Sequence, residues 1–380
     1  MSWREAFVTS LGPGYFGGTT PSIWLRVLRE NQFDVDWPYW PRALVTTLGS
    51  FQNALLSGWE NLVYARRVQQ ATVYPPLFIL GIFRSGTTLL HNLLVQDDRF
   101  AYPNVYQCCY PKTFLTTEST NARVTGFFLP DRRPQDGIAL GMRETQEEEF
   151  ALCSLTGRNF VMGWVFPRRA EQFNRYLTFR DATEEEVAEW KSALTGFIRK
   201  LSFKYERPLI LKSPGNTARI RLLLEIFPDA RFVHIHRNPY DVFQSIRHTY
   251  DKVTPWINLQ RPDFDGLDER ILRQNREAYE AFFEERSLIP QDRFHELSFA
   301  ALEADLVGQV RGVYEGLGLP DFGYVEPRLR RYAESLSGYR KNAFPELSAH
   351  ERHRIAREWR RCFDEWGYPL DFEELASNGP

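Results

Sequence analysis

The hydrophobic pattern changes period near residue 80. Residues 76–80, PLFIL, form a continuous apolar run that predicts a buried strand, and residues 89–94, LLHNLL, continue as a helix. The alternation returns downstream. Residues 208–212 (PLILK) predict a short strand, and Asn216 can cap a helix through Phe227 with Arg219 and Arg221 near its start. Pro228-Asp229 turns the chain into a second strand over 231–236 (RFVHIH), after which Asn238-Pro239 supplies a helix cap and a first-turn proline. Residues 294–299 predict another strand, followed by a helix to Gly316. Thr183 with Glu186 forms a capping box ahead of an amphipathic stripe through Trp190, Leu194 and Ile198, and Ser348 with Glu351 forms a second ahead of Ile355 and Trp359. Strands feeding helices in this order predict an α/β fold with a mostly parallel central sheet flanked by helices in three layers. Ligands in that architecture bind beyond the carboxyl ends of the strands.

A chain of 380 residues, 43% apolar and 25% charged, has the composition of an ordinary globular protein. A net charge of −2 argues against nucleic acid as a partner, because phosphate backbones select basic surfaces. The four cysteines, with Cys108-Cys109 adjacent and Cys153 and Cys362 distant, form neither a zinc nor a disulfide framework and favour a reducing cytoplasm. The first residues lack the long apolar core of a signal peptide, and no apolar run approaches the roughly 20 residues that span a bilayer. Aromatic content is high, with 10 Trp, and much of it lies early, at Trp24, Trp37, Trp40, Phe51 and Trp59. Two helices are predicted there, one opening at Thr20-Pro21 and one from about Pro41 towards Gln69. Their aromatics either pack the helices onto the sheet, or line a greasy acceptor pocket or touch a membrane surface.

Between strand and helix, residues 81–88 read GIFRSGTT, a G-x-x-x-x-G frame followed by Thr87-Thr88. Backbone N–H groups at such a helix start point at an anion, and the helix dipole favours negative charge there. A nucleotide kinase would carry Lys where Thr87 stands, working beside a hydroxyl-held magnesium. That Lys is missing, and a cation, Arg84, sits inside the loop instead. A sulfuryl group, less charged than a terminal phosphoryl, fits a loop of this kind. Downstream, Arg237 ends the second strand and Ser245 follows on the next helix, so a planar donor fork and a hydroxyl can grip a further anion. Arg237 pairing with Asp241 at a capped helix start is the competing reading. Two anion sites together suit a nucleotide with phosphate on both its 5′ and 3′ sides.

These residues resemble the sulfotransferases that use 3′-phosphoadenosine 5′-phosphosulfate, in particular the broad, mostly bacterial group whose loop reads RSGTTLLH. The resemblance runs from about Pro75 to Tyr368. It implies that residues 83–90 are the 5′-phosphosulfate loop, with Arg84, Ser85, Gly86, Thr87 and Thr88 holding the donor. It implies that residues 232–245 bind the 3′-phosphate through Arg237 and Ser245. Residues 211–214 (LKSP), 227–232 (FPDARF) and 146–152 (QEEEFAL) are similar to further signatures of the group. In the implied reaction the acceptor hydroxyl attacks sulfur in line, and charge builds on the oxygen that leaves with adenosine 3′,5′-bisphosphate. Fixed cations aimed at that charge should be the largest catalytic contribution, and Arg84 and Lys212 are the candidates. No Asp ends either apolar strand as a metal-holding partner would require, so no metal is expected.

A general base must reach the acceptor proton, and the run Glu147-Glu148-Glu149 is the best site for it, as crowded, partly buried carboxylates raise one another's pKa. Helical spacing sends Glu147 and Glu149 to different sides and does not choose between them, although Glu147 is slightly preferred. Relatives often carry His after the Lys-Ser-Pro segment, where this chain has Gly215-Asn216, and a common late Tyr is Phe299 here. Tyr339-Arg340-Lys341-Asn342 is similar to a basic loop that closes on the 3′-phosphate, which brings in Arg340 and Lys341. His91 reads as a helix residue packed under the loop. The whole, 1–380, is expected to be one domain: a helical, aromatic-rich extension (1–74), an α/β nucleotide-binding core (75–322) and a C-terminal loop and helix (323–380). An atypical P-loop nucleotide kinase and a non-catalytic nucleotide-binding scaffold are the rival readings. The sequence leaves the acceptor open between a small molecule and a lipid-like alcohol, and leaves the oligomeric state open.

Overall fold

In a computed structural model, which describes residues 2–338, 342 and 344–370, the strands are β1 (Leu77–Leu80), β2 (Ile210–Lys212), β3 (Arg231–His236) and β4 (Phe294–Ser298). They pair in the order β2-β1-β3-β4, and every pairing is parallel. All four residues of β1 are buried, as a strand covered on both faces requires. Alternate side chains divide between two cores. Phe78 and Leu80 join Phe232 and the helix Glu184–Tyr205 on one face, whereas Leu77 and Ile79 join Leu90, Val233 and Val310 on the other. Helices therefore cover both faces, and the carboxyl ends of β1, β2 and β3 point the same way.

Local signals place most helix starts. Thr183 and Ser348 each close a capping box with Glu186 and Glu351, and Asn238 accepts from the Tyr240 N–H at the head of the helix Pro239–Ile257. Two expectations are corrected. Asn216 caps no helix: a 3-10 turn covers Pro214–Ala218, the helix starts only at Ile220, and the Asn216 amide points to Glu148 instead. The stretch after β4 is two helices, Phe299–Ala304 and Leu306–Gly316, broken at Asp305, whose carboxylate accepts from the Gly308 N–H. The N-terminal part holds the expected helices Pro21–Glu30 and Trp40–Gln69, and adds Trp3–Leu11, opened by its own capping box at Ser2 and Glu5. Buried Arg42 donates to the carbonyls of Val8, Thr9, Pro255 and Asn258, tying this part to the core. Among the described residues no helix is long and apolar enough to cross a membrane.

Candidate active site

The site is built on the sharp turn after β1. Gly81 has φ +144° and donates its N–H to the Thr217 hydroxyl at 2.8 Å; a Cβ there would lie 2.6 Å from the Ile235 carbonyl oxygen. Gly86 has φ +105°, and a Cβ on it would meet the Phe299 ring at 2.3 Å, so both ends of the frame need glycine. Arg84 itself holds φ +70°, a strained value that a β-carbon disfavours. The helix Thr87–Leu94 starts at Gly86 with no side-chain cap, so no N-cap side chain occupies its first N–H groups. Ser85 is fully buried, and both its N–H and its hydroxyl turn inward to the Ile82 carbonyl.

Two clusters of charge flank this turn. On one side Lys212, at the end of β2 and 3% exposed, donates to Glu147 Oε1 at 2.5 Å and lies 3.5 Å from the Thr88 hydroxyl. The second oxygen of Glu147, Oε2, is buried and accepts no hydrogen bond from the described residues. On the other side Arg84 donates through Nε to the Ser245 hydroxyl (2.9 Å) and through its fork to Asp136 (2.9 Å), which also pairs with Arg133. Arg237 reaches the Arg84 carbonyl at 3.4 Å, lies 4.6 Å over the Phe299 ring and pairs with Asp241 at 3.3 Å. The competing reading of Arg237 is thus present as well, as a long contact to an exposed carboxylate. The loop cation and the helix serine, inferred as members of separate sites, adjoin.

The three acidic residues meet three different fates. Glu147 is the N-cap of the helix Glu148–Thr156 and faces Lys212. Glu148 turns into the protein, where it accepts from the Lys212 N–H at 3.1 Å and the Asn216 amide at 2.5 Å. Burial pushes its carboxyl up from 4.5 to about 7 against the pull of hydrogen bonds such as that from Asn216. Glu149 accepts both arms of Arg219, at 2.9 and 3.0 Å, and the Asn159 amide at 2.7 Å, all out of contact with solvent. Helical spacing separated Glu147 from Glu149, and in the structure one faces Lys212 whereas the other anchors the helix through Arg219.

The fold prefers neutral Glu148, so this preference stabilises fully below 4.5, where folded and unfolded chains both bind the proton, and fades as pH rises through about 7. Its size is on the order of 3 kcal/mol. Glu148→Gln should therefore lose less melting temperature than the wild type between pH 5 and pH 8. Parallel thermal melts check this, and identical pH slopes would refute it.

Sequence reasoning missed Asp136 and read Glu148 only as a member of the acidic run. Tyr15 stacks on Phe150 at 4.8 Å, and its hydroxyl is raised by burial and by the charges of Cys153 and Glu147. No local pattern marks Asp136, whose partner Arg84 lies 52 residues away. His91 is buried under the loop as expected, and burial together with Lys212 pushes its ring down to about 3, keeping it neutral. Beside the loop, Phe83 packs between Phe160 and Trp164, both at 5.8 Å, as one wall of an apolar cleft that Ile246 and Tyr250 continue. Arg340 and Lys341 lie outside the described residues.

Comparison with known proteins gives this site a context. Residues 75–323 match a family model described as the sulfotransferase family. The omega-hydroxy-beta-dihydromenaquinone-9 sulfotransferase Stf3 of Mycobacterium tuberculosis is 36% identical over 364 residues, 96% of this chain and 93% of that one. Among solved structures, sulfotransferase STF9 from Mycobacterium avium superposes with a TM-score of 0.68 at 17% identity, covering 93% of this chain and 98% of that one. Sulfotransferase STF1 from Mycobacterium tuberculosis gives 0.62 at 18% identity, covering 94% and 97%. These two likenesses bear on the fold.

Proposed function

The chain belongs to the sulfotransferase family and is a sulfotransferase, and from that premise we propose that it moves the sulfuryl group of 3′-phosphoadenosine 5′-phosphosulfate to the hydroxyl of a lipid-like alcohol. The observation that carries this reading is the placement of Lys212 between Thr88 at the loop and Glu147, whose other oxygen has no partner among the described residues. In this reading the loop N–H groups of Gly86, Thr87 and Thr88 and the Arg84 guanidinium hold the 5′ group, while Ser85 shapes the turn. Glu147 Oε2 takes the acceptor proton as the oxygen–sulfur bond forms. The bond from sulfur to the bridging phosphate oxygen breaks, and Lys212 neutralises the charge left on that oxygen. Arg237 and Ser245 hold the 3′-phosphate, with Ser245 exchanging its present donor, Arg84, for the ligand. Glu149 has no part in proton transfer here, because both its oxygens are taken by Arg219 and Asn159. The relative named for a hydroxylated dihydromenaquinone supports an acceptor of lipid-like class, and the aromatic wall at Phe83 and Trp164 suits an apolar one.

Calorimetry with adenosine 3′,5′-bisphosphate, adenosine 5′-phosphate and ATP tests the donor assignment. The bisphosphate should bind at least ~10-fold more tightly than the other two, as expected when a charge-assisted arginine contact is lost. Equal affinity without the 3′-phosphate would refute it. A labelled-sulfate assay with hydroxylated isoprenoid quinones then tests the acceptor.

A further inference from the structure

The 30-residue helix Trp40–Gln69 is amphipathic in reverse. Its polar side chains Arg42, Thr46, Ser50, Asn53 and Glu60 are the buried ones. Asn53 donates to the Gly17 and Thr19 carbonyls, and Glu60 accepts from Thr116 and Lys200. Its outward side instead exposes Leu44, Leu48, Phe51, Leu55 (78%), Trp59 and Leu62 (84%). Spacings of three and four residues align these into one stripe. Helical rise gives the stripe a length of about 27 Å, and exposed Trp37 and Trp40 extend it. A soluble surface rarely leaves so large a continuous apolar face to water. Residues 43–59 contain no charged residue, and the exposed charges of the helix are Arg66 and Arg67, both beyond the stripe.

We propose that this stripe seats the enzyme in the interfacial plane of an anionic lipid bilayer, from which it draws its acceptor; the second clause rests on the lipid-like acceptor proposed above. Three features select a membrane over a second copy of the chain. Charged pairs beside an apolar seam set register and partner in paired helices, and the flanks here are instead Val45, Gln52, Gly58 and Val63. Tryptophans at Trp37, Trp40 and Trp59 suit the headgroup boundary, where an apolar ring and a polar N–H are both satisfied. The exposed charge of the helix is wholly positive and complements anionic headgroups. Inward polar and outward apolar residues are the arrangement a helix adopts when its outer solvent is hydrocarbon.

Flotation with vesicles of equimolar phosphatidylcholine and phosphatidylglycerol, containing no acceptor, tests the proposal. The wild type should float, and the double variant Leu48→Glu, Leu55→Glu should lose at least ~10-fold of the vesicle-bound fraction. Its affinity for adenosine 3′,5′-bisphosphate and its thermal melt serve as controls for folding. Arg66→Gln with Arg67→Gln should weaken binding at low salt and flatten its salt dependence. The proposal is overturned if the wild type stays at the bottom of the gradient, or if the leucine variant floats equally well. It is also overturned if sedimentation shows a dimer that the leucine variant splits. Because these vesicles carry no acceptor, an enzyme that floats yet fails to sulfate quinone alcohols would sink the acceptor assignment alone.

Discussion

Glu147→Gln is expected to lower turnover by ~10²–10⁴-fold, the range a positioned general base contributes, and to leave affinity for adenosine 3′,5′-bisphosphate within about twofold. The amide keeps the shape of the carboxylate, and its carbonyl oxygen still accepts from Lys212, so the 2.5 Å contact and the Thr88 side of the loop survive. What disappears is the proton-accepting capacity of Oε2, the buried oxygen with no partner among the described residues. A structural role alone would instead move donor affinity and stability together with turnover. Lys212→Met should also lower turnover, and the double variant should fall short of the product of the two single losses, because the two side chains are in direct contact. Single-turnover kinetics with donor saturating, alongside calorimetry of the bisphosphate, separates the outcomes. If Glu147→Gln keeps more than about a tenth of wild-type turnover, the base lies elsewhere.

How much of this site could be read from the chain depends on the range of each interaction. β3 spans residues 231–236, as read between the Pro228-Asp229 turn and the Asn238-Pro239 cap, and the caps at Thr183, Asn238 and Ser348 are where short-range hydrogen-bond chemistry puts them. Gly81 and Gly86 were legible because a phosphate-type turn demands positive φ at fixed spacing. The polar partners that the sequence did not announce lie far along the chain: Asn216 left its local cap for Glu148, 68 residues away, and Arg84 found Asp136, 52 residues away. Such pairings leave no periodic trace. The helix Trp40–Gln69 shows a different limit. Only the fold shows that its polar side is inside: Arg42, Thr46 and Ser50 are buried whereas Trp40 and Trp59 are exposed.

The largest loss of stability is expected from Arg219→Met, on the order of 3–5 kcal/mol, the cost of removing one partner from a buried ion pair. The guanidinium is fully enclosed, gives two bonds to Glu149, and donates to the carbonyls of Tyr176 and Leu177 at 2.6 and 2.9 Å. Rings of Phe179 and Trp190 sit 5.0 and 5.3 Å from it, so no water replaces the lost donors. Methionine fills similar volume, which makes the stranded Glu149 carboxylate the main penalty rather than a cavity. Adding Glu149→Leu should therefore restore part of the loss, and urea unfolding of the two single variants and the double variant measures it. A single-variant cost under about 1 kcal/mol would show that the pair is open to water. The same pair anchors the helix whose first cap is Glu147, linking stability to chemistry. Arg219→Lys keeps the charge but not the planar fork, so it should shift that helix and reduce turnover more than its modest loss of stability accounts for.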